Sequence, residues 1–595
     1  MTAIVLAIAA LAPWLTLLPF DGAPRVLAHV LTLVAAFHGA GLVLAHLARR
    51  PSVHPLLAIQ WGIATLIALS GVALLLRVDG RVTQTILVCA FAGVHTAQII
   101  LRWNSSRARL AELELRWLIV PAGLLALFGI LHILGAAGDL GARPFDDDGN
   151  VIAQLQRLRE TGTLGDPIGY ARGSQLGGQV VLAALATVPG DVHLARVLEA
   201  LTFALALGLA CSLVRVQDIA AGIVATLVVV AGIALPFASP DLTVCWTAVG
   251  LILALHAMLT DDEPRALLPI AVTAGALITL RFELAPIGLA AVALAWWPQR
   301  ADRSRSLSFL GGFIAVVLPF ALSRLGASIP DEVRALLVPS RGVVIRVAIF
   351  LAIAVPAIPA ALALTRDRPG RWLVVGGAIA VAGIASQLTG DRPYALRFLW
   401  PIAIAGGLVL VISVARTRQL TASMMIVALV LVVLIYEGRD TAGRAGWTRR
   451  YLDLAANIEY LRHSRDQAPI TGGYAAILRQ VPAGATVAVW VARPERLAYD
   501  APYRIIDLRT PRSARLRGHG FHTHASRIEK LLTTAGASYL LLEADDRYAQ
   551  RVRASFEYRF MCPSALPACA DDLEAIALRH PVISEFGGLR LVRLR

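Results

Sequence analysis

The chain has 595 residues, of which 57% are hydrophobic and only 16% are charged. Soluble domains have about 25% charged residues, so this composition excludes a soluble protein for most of the length, and it also excludes a disordered chain. The formal net charge is +15, and Lys530 is the only lysine. Beside so much apolar surface, this basic balance favours membrane lipids and phosphate-bearing substrates as partners and argues against nucleic acid.

Apolar runs long enough to cross a bilayer occupy most of the chain up to residue 436. A span needs about 20 mostly apolar residues, and fewer when it is tilted or packed inside a bundle, so we predict about fifteen spans. They lie near 3–20, 26–47, 56–76, 84–101, 117–136, 193–214, 218–236, 241–259, 266–281, 284–297, 306–323, 343–364, 372–388, 396–415 and 420–436. A polar stretch at 137–175 interrupts the series.

Arginines concentrate in alternate loops, and this sets the predicted orientation. The positive-inside rule assigns the arginine-rich loops to the cytoplasm. These loops contain Arg49, Arg102, Arg215, Arg265, Arg300, Arg366 and Arg416. The N-terminus is then cytoplasmic, whereas the loop 137–175, the turn at 281–283 and everything after about residue 437 face the outside.

The last part of the chain, 437–595, is predicted to be a small α/β domain outside the cytoplasm. Thr486–Val491 and Ser538–Leu542 are typical of buried strands. Ser526–Ala535 between them is typical of a helix that ends at Gly536. Strands that alternate with helices indicate an α/β arrangement.

The five cysteines fall into two groups. Cys89, Cys211 and Cys245 lie in apolar runs, where cysteine is usually a packing residue. Cys562 and Cys569 lie in the polar C-terminal region. An oxidising compartment would allow a disulfide between these two, and two free thiols are the alternative.

The candidate catalytic residues lie in the outer loop 137–175, directly after a predicted span. Asp146, Asp147 and Asp148 are consecutive carboxylates that repel one another, so at least one is expected to have a raised pKa or to pair with a cation. The next residues, 151–160, have apolar side chains on one helical face, which predicts an amphipathic helix lying on the membrane. The alternative for the acids is a helix cap, a role that needs a single carboxylate.

Arginines on the same predicted face form the second half of the candidate site. Arg281 and Glu283 lie where one apolar run turns into the next, and ionisable groups there are costly unless they are paired or functional. An Arg–Glu pair closing the turn is the alternative. Arg392 lies in an outer loop and Arg397 at the mouth of the next span, where snorkelling to lipid phosphate is the alternative. Tyr170, late in the outer loop, either lines an acceptor channel or belongs to a turn.

These motifs together resemble the GT-C glycosyltransferases. The resemblance begins with a span, an outer loop that opens with Phe145-Asp-Asp, and an amphipathic helix. Arg281-Phe-Glu283 is similar to the Arg-x-Glu step of bacterial members, and Arg397-Phe-Leu-Trp-Pro401 is similar to their late helix start. Gly190–Arg196 resembles the turn into the span after the catalytic loop. Members usually place the catalytic carboxylate after their first span, whereas about four spans come first here; either the chain has an N-terminal addition or another loop is catalytic.

The resemblance implies a polytopic α-helical membrane protein in a bacterial inner membrane. Residues 1–116 would be N-terminal transmembrane helices, 117–436 a GT-C-like catalytic core, and 437–595 the extracytoplasmic α/β domain. Family members use polyprenyl-phosphate sugars, and they include protein O-mannosyltransferases and aminoarabinose transferases. The match is strongest over about 117–436.

The implied reaction moves a sugar from a polyprenyl-phosphate donor to a hydroxyl of a lipid, glycan or protein acceptor, with inversion. Asp146 would be the base and Asp147 its helper or a metal ligand, while Arg281 and Arg397 would hold the donor phosphate. A divalent cation, Mg²⁺ or Mn²⁺, is a cofactor that the residues leave open. The predicted substrate-binding residues are Arg281, Glu283, Arg397, Arg392 and Tyr170.

Three other functions fit part of this pattern. A lipid-linked glycan ligase or polymerase shares the donor but usually relies on arginines with a different large outer loop. A lipid or solute transporter often has paired halves and broken helices near the midplane, yet no clear internal repeat is visible and the unusual charges lie at one face. A membrane scaffold without enzymatic activity needs no role for the acids beyond solvation.

Overall fold

The computed structural model describes the chain as a series of segments. These are residues 10–17, 23–50, 53–102, 119–138, 177–188, 197–214, 222–226, 245–260, 267–300, 302–323, 371–387, 399–415, 471–491, 501–507, 525–534, 536–543, 568–586 and 588–595, with isolated positions between them such as 155, 158, 159 and 162.

The segments before residue 416 are almost entirely helical. Their α-helices are α1 Ala23–Leu47, α2 Pro55–Leu75, α3 Arg81–Leu101, α4 Ile119–Gly138, α5 Gly178–Ala186, α6 Val197–Leu213, α7 Cys245–Thr260, α8 Leu267–Leu280, α9 Ala285–Trp296, α10 Arg303–Ser323, α11 Arg371–Gln387 and α12 Trp400–Ala415. Short 3-10 helices occur at Ala12–Leu17, Phe282–Leu284 and Trp297–Gln299. The first four helices match predicted spans to within about three residues at each end.

Within the described residues, five helices, α1 to α4 and α10, are long and apolar enough to cross a membrane. Large apolar side chains cover their outer surfaces, as in Val82 and Leu101 of α3, which are 72% and 82% exposed. A surface of this kind matches hydrocarbon and not water. These helices indicate a protein embedded in a membrane. The total of about fifteen spans stays a prediction, because the runs near 343–364 and 420–436 lie largely or wholly outside the described residues.

Helices α6, α7 and α8 form the centre of this core. Most of their residues are buried on every side, and they pack together with α2. A helix that is apolar all round is stable only when it is surrounded. Each of the three is shorter than α1 to α4.

Helix α5 was not predicted as a span, and it differs from its neighbours. All nine of its residues are buried, and nine helical residues extend only about 13 Å, so α5 cannot cross a bilayer. Its C-terminal carbonyl at Ala186 accepts a hydrogen bond from the His29 ring, 2.6 Å away. This bond satisfies a carbonyl that the short helix would otherwise leave without a donor.

Glycines allow several helix pairs to approach closely. A Cβ at Gly62 of α2 would overlap the Phe37 carbonyl of α1, and a Cβ at Gly41 would overlap the Ala58 carbonyl. Helices α11 and α12 cross where Gly377 meets Gly406. Small residues at crossings are how helices in a membrane gain contact area.

Adjacent glycines of α12 provide a matched test of this packing. A Cβ at Gly406 would lie 2.8 Å from both the Gly377 Cα and the Leu373 carbonyl oxygen, whereas a Cβ at Gly407 would have no atom within 4 Å. We expect Gly406→Ala to destabilise the protein by about 1–3 kcal/mol through overpacking. For Gly407→Ala, the free energy of unfolding should be unchanged or should rise by up to about 1 kcal/mol. Unfolding in detergent measures both, and equal stabilities would contradict this packing.

The C-terminal part contains a five-stranded sheet. Its strands are β1 Thr486–Trp490, β2 Arg504–Asp507, β3 Tyr539–Glu543, β4 Val582–Phe586 and β5 Leu589–Arg593, in the order β2-β1-β3-β5-β4. β1 is parallel to β2 and β3, while β5 is antiparallel to β3 and β4. The helices are α13 Thr471–Leu478, α14 Ala525–Thr534 and α15 Ala568–Arg579.

The predicted elements of this domain are confirmed. β1 and β3 lie at the two predicted apolar runs, and α14 lies between them. Gly536 follows α14 with a φ of +81°, a left-handed conformation that glycine adopts without a steric penalty. The antiparallel hairpin of β4 and β5 was not predicted.

Candidate functional site

The C-terminal ends of α2, α8 and α10 lie at one end of the helix bundle. Gly71, in the last turns of α2, contacts the Phe320 ring in the last turn of α10. Gly275 of α8 packs against Val316 of α10, so these two helices also end together. We call this end of the bundle the Arg281 end, because Arg281 follows α8 directly.

Helices α5, α6 and α7 begin at the Arg281 end. Gly178, the first residue of α5, packs against Thr279 in the last turn of α8. Gly208, late in α6, packs against Leu56 at the start of α2, so α6 is antiparallel to α2. The start of α7 is bound by Glu199 from the first turn of α6. Three helix N-termini and their positive dipole ends therefore meet here.

Arg281 occupies the turn between α8 and α9, as the sequence predicts. Its side chain is only 4% exposed, and its carbonyl accepts a hydrogen bond of 3.1 Å from the Leu284 N–H. Glu283 lies half-buried in the same turn. A guanidinium keeps its charge when it is buried, so the turn holds a permanent cation at the end of an apolar helix.

Glu199 is a buried carboxylate that the sequence analysis missed. Its Oε2 accepts a 2.8 Å hydrogen bond from the Trp246 N–H, and its Oε1 accepts a 2.6 Å bond from the Thr247 hydroxyl. The Thr247 N–H lies 3.4 Å from Oε1. The carboxylate thus caps α7 from a neighbouring helix, which is favourable because α7 presents free N–H groups and a positive dipole end. Its role is to fix α6 against α7.

The end of the predicted catalytic loop docks against the loop between α2 and α3. Leu155 and Leu158 are helical and buried, as the predicted apolar face requires, but Arg159 on the predicted polar face is buried as well. Gly162 has a φ of +70°, and a Cβ there would lie 2.8 Å from the Arg77 carbonyl oxygen. These contacts place Arg159 and Gly162 against residues 77–80.

Asp79 lies inside this contact and is fully buried. Burial raises the pKa of the Asp79 carboxyl well above its ordinary value, and the neighbouring Gln84 side chain opposes this shift only in part. The Gln84 amide nitrogen donates a 2.9 Å hydrogen bond to the Asp79 backbone carbonyl. Asp79 is a lone acid in the short polar break between two spans, a sequence pattern that does not indicate a site.

The structure describes only part of the predicted site. Arg281 and Glu283 are both described and share one turn. The predicted positions outside the described residues are Asp146, Asp147, Tyr170, Arg392, Arg397 and Cys562. The backbone of Cys569 belongs to α15, and the disulfide stays a prediction. Cys89, Cys211 and Cys245 are free thiols.

The described residues at the Arg281 end include buried cations and a buried acid. Arg281 and Arg159 are buried guanidinium groups, which match phosphate with paired donors. No group of three or more His, Cys, Asp or Glu side chains within the described ranges is placed to hold a metal ion. Comparisons of the sequence with known protein families and with characterised proteins give no match.

Proposed function

We propose that this chain is a membrane glycosyltransferase that moves a sugar from a polyprenyl-phosphate donor to an acceptor hydroxyl at the Arg281 end of the bundle. The observation that carries the proposal is the burial of Arg281 immediately after the apolar helix α8. A polyprenyl-phosphate sugar has its chain in hydrocarbon and its phosphate at the membrane edge. A fixed cation at the end of an apolar helix suits both the depth and the charge of such a donor.

The proposed reaction is a single displacement. A carboxylate of the loop 137–175, with Asp146 as the first choice, takes the proton of the acceptor hydroxyl. The acceptor oxygen forms a bond to the anomeric carbon as the bond from that carbon to the phosphate oxygen breaks. The electron pair leaves with the polyprenyl phosphate, whose added negative charge Arg281 and Arg397 stabilise. Attack opposite the leaving group inverts the anomeric centre.

The docking of residues 158–162 supports this arrangement. It brings the segment that follows the three aspartates to the same end of the bundle as Arg281. The proposed location is the bacterial inner membrane, where such donors and acceptors meet. The Arg281 end would face outward, and the domain after residue 437 would lie outside the cytoplasm.

Asp146→Asn is the variant that tests the proposed base. We expect it to bind the polyprenyl-phosphate donor as the wild type does, but to transfer sugar at least about 10²-fold more slowly, because the amide cannot take a proton. Release of polyprenyl phosphate and donor binding are measured on the same purified protein. Asp302→Asn, at an exposed acid paired with Arg305, is the matched control and should be fully active.

An Asp146→Asn variant with wild-type transfer would exclude this base. If Asp147→Asn alone then lost transfer, the base would be the neighbouring residue. If neither variant lost transfer, the loop would not be catalytic.

A transporter is the second candidate, and helix α5 is the observation that favours it. Transporters often build their sites from short helices buried within the bundle, and α5 is short and buried. A transporter would move the lipid-linked sugar across vesicle membranes without releasing polyprenyl phosphate, which separates it from the enzyme in one assay.

A further inference from the structure

In the part of the chain that the structure describes, the Asp79 carboxyl group has neither solvent nor a cation to stabilise its charge. It is 0% exposed, and within the described residues neither of its carboxylate oxygens has a hydrogen-bond partner. The charged and titratable groups on the elements around it are Arg25, His29, Arg77, Arg81 and Arg159. None of them forms an ion pair with Asp79 in the part of the chain that the structure describes. An isolated buried carboxylate is strongly unfavourable.

Gln84 is the polar neighbour that a neutral Asp79 would satisfy. Its amide nitrogen is engaged by the Asp79 backbone carbonyl, while its amide oxygen is buried and has no donor among the described residues. Gln84 also neighbours the carboxyl group itself, since its side chain partly opposes the rise in the pKa of Asp79. One proton on the carboxyl would supply the missing donor and remove the buried charge.

We propose that Asp79 is a proton-binding site whose neutral form stabilises the contact of the loop 77–80 with Arg159 and Gly162. Gly162 approaches the Arg77 carbonyl closely, and Asp79 has no surface exposed to solvent that could stabilise an ionised carboxylate. Loss of the proton would place a charge inside this contact and weaken it. Leu158, Arg159 and Gly162 belong to the loop 137–175, so the contact with Asp79 is made by the loop that carries the three aspartates.

The pH dependence of stability has a defined sign. An aspartate in the unfolded chain has a pKa of about 3.9, and burial raises the pKa of Asp79 in the folded protein. Between these two values only the folded state holds the proton, so the folded state becomes less favoured as the pH rises. Asparagine has the shape and hydrogen-bonding groups of the neutral acid and does not titrate.

Equilibrium unfolding of wild type and Asp79→Asn in detergent, from pH 5 to pH 8, tests the proposal. Asp79→Asn should be the more stable protein, and the ratio of the two unfolding constants should grow about tenfold per pH unit until Asp79 ionises. Asp302→Asn, at an exposed acid, should show no such growth. Infrared spectra should show the carbonyl band of a protonated carboxylic acid in wild type and its loss in Asp79→Asn.

Three results would overturn the proposal. A ratio that does not change with pH would show that Asp79 is ionised in the folded protein. Absence of the carboxylic acid band at neutral pH would show the same directly. An Asp79→Asn protein that fails to fold would show that the site requires a negative charge. None of these results depends on the enzyme assay, so they do not bear on the proposed glycosyl transfer.

Discussion

Glu199→Ala is expected to lower the free energy of unfolding by about 3 kcal/mol, because it leaves buried donors at the start of α7 without an acceptor. The Trp246 N–H and the Thr247 hydroxyl both donate to this carboxylate, which is only 2% exposed. Glu199→Gln keeps one acceptor oxygen but turns an NH₂ group toward another donor, so an intermediate loss of about 1–2 kcal/mol is expected.

Unfolding in detergent, followed by tryptophan fluorescence, measures this loss. Trp246 stacks edge-on against Phe203 at the same contact, so its emission reports on the joint between α6 and α7. Ser212→Ala is a suitable control in α6, because that hydroxyl bonds only to the Leu209 carbonyl of its own helix, and it should stay within about 0.5 kcal/mol of wild type. Wild-type stability for Glu199→Ala would mean that the carboxylate does not hold α7.

Arg281→Gln is expected to reduce kcat/KM for a polyprenyl-phosphate sugar by at least about 10²-fold, or about 2.7 kcal/mol of transition-state stabilisation. The loss follows from the removal of a fixed charge that would oppose the negative charge developing on the departing phosphate. Arg281→Lys keeps the positive charge but lacks the paired N–H donors of a guanidinium. A smaller reduction of kcat/KM, about 10-fold, is therefore expected.

Arg305→Gln is the matched control for this variant. Arg305 is exposed at the start of α10, the opposite end from Arg281, and pairs with Asp302 at 3.1 Å. It should have wild-type activity. Because Arg281 is buried, folding of each variant is checked by its unfolding midpoint. A folded Arg281→Gln protein as active as Arg305→Gln would remove Arg281 from the site.

Most helices and the two central strands could be predicted because their apolar runs are long and uninterrupted. The runs at 84–101 and 117–136 correspond to α3 and α4, and the run at 486–491 corresponds to β1. A long apolar run suits either lipid, as in α3, or a packed interior, as in β1, so the element can be predicted in both cases. Helix α5 escaped prediction because nine apolar residues are too few for a span, and only its neighbours explain its burial.

The acids at the Arg281 end show why parts of the site could not be predicted. A lone Glu199 inside an apolar run and a lone Asp79 between two runs have the same local pattern. The structure makes the first an acceptor for the start of α7 and leaves the second without a partner in the described residues. The difference arises from elements about 47 and 80 residues away along the chain. The Arg281 turn could be predicted because the two helices that flank it, α8 and α9, follow each other directly in the sequence.

The most direct test of the proposed function is to incubate the purified wild-type protein with a panel of polyprenyl-phosphate sugars and an envelope lipid or glycan fraction as acceptor, and to measure release of polyprenyl phosphate. We expect at least one sugar to be transferred, with an inverted anomeric centre and equal amounts of freed lipid phosphate. Donor that binds and stays intact with every sugar and acceptor, or is only moved across the membrane, would contradict glycosyl transfer.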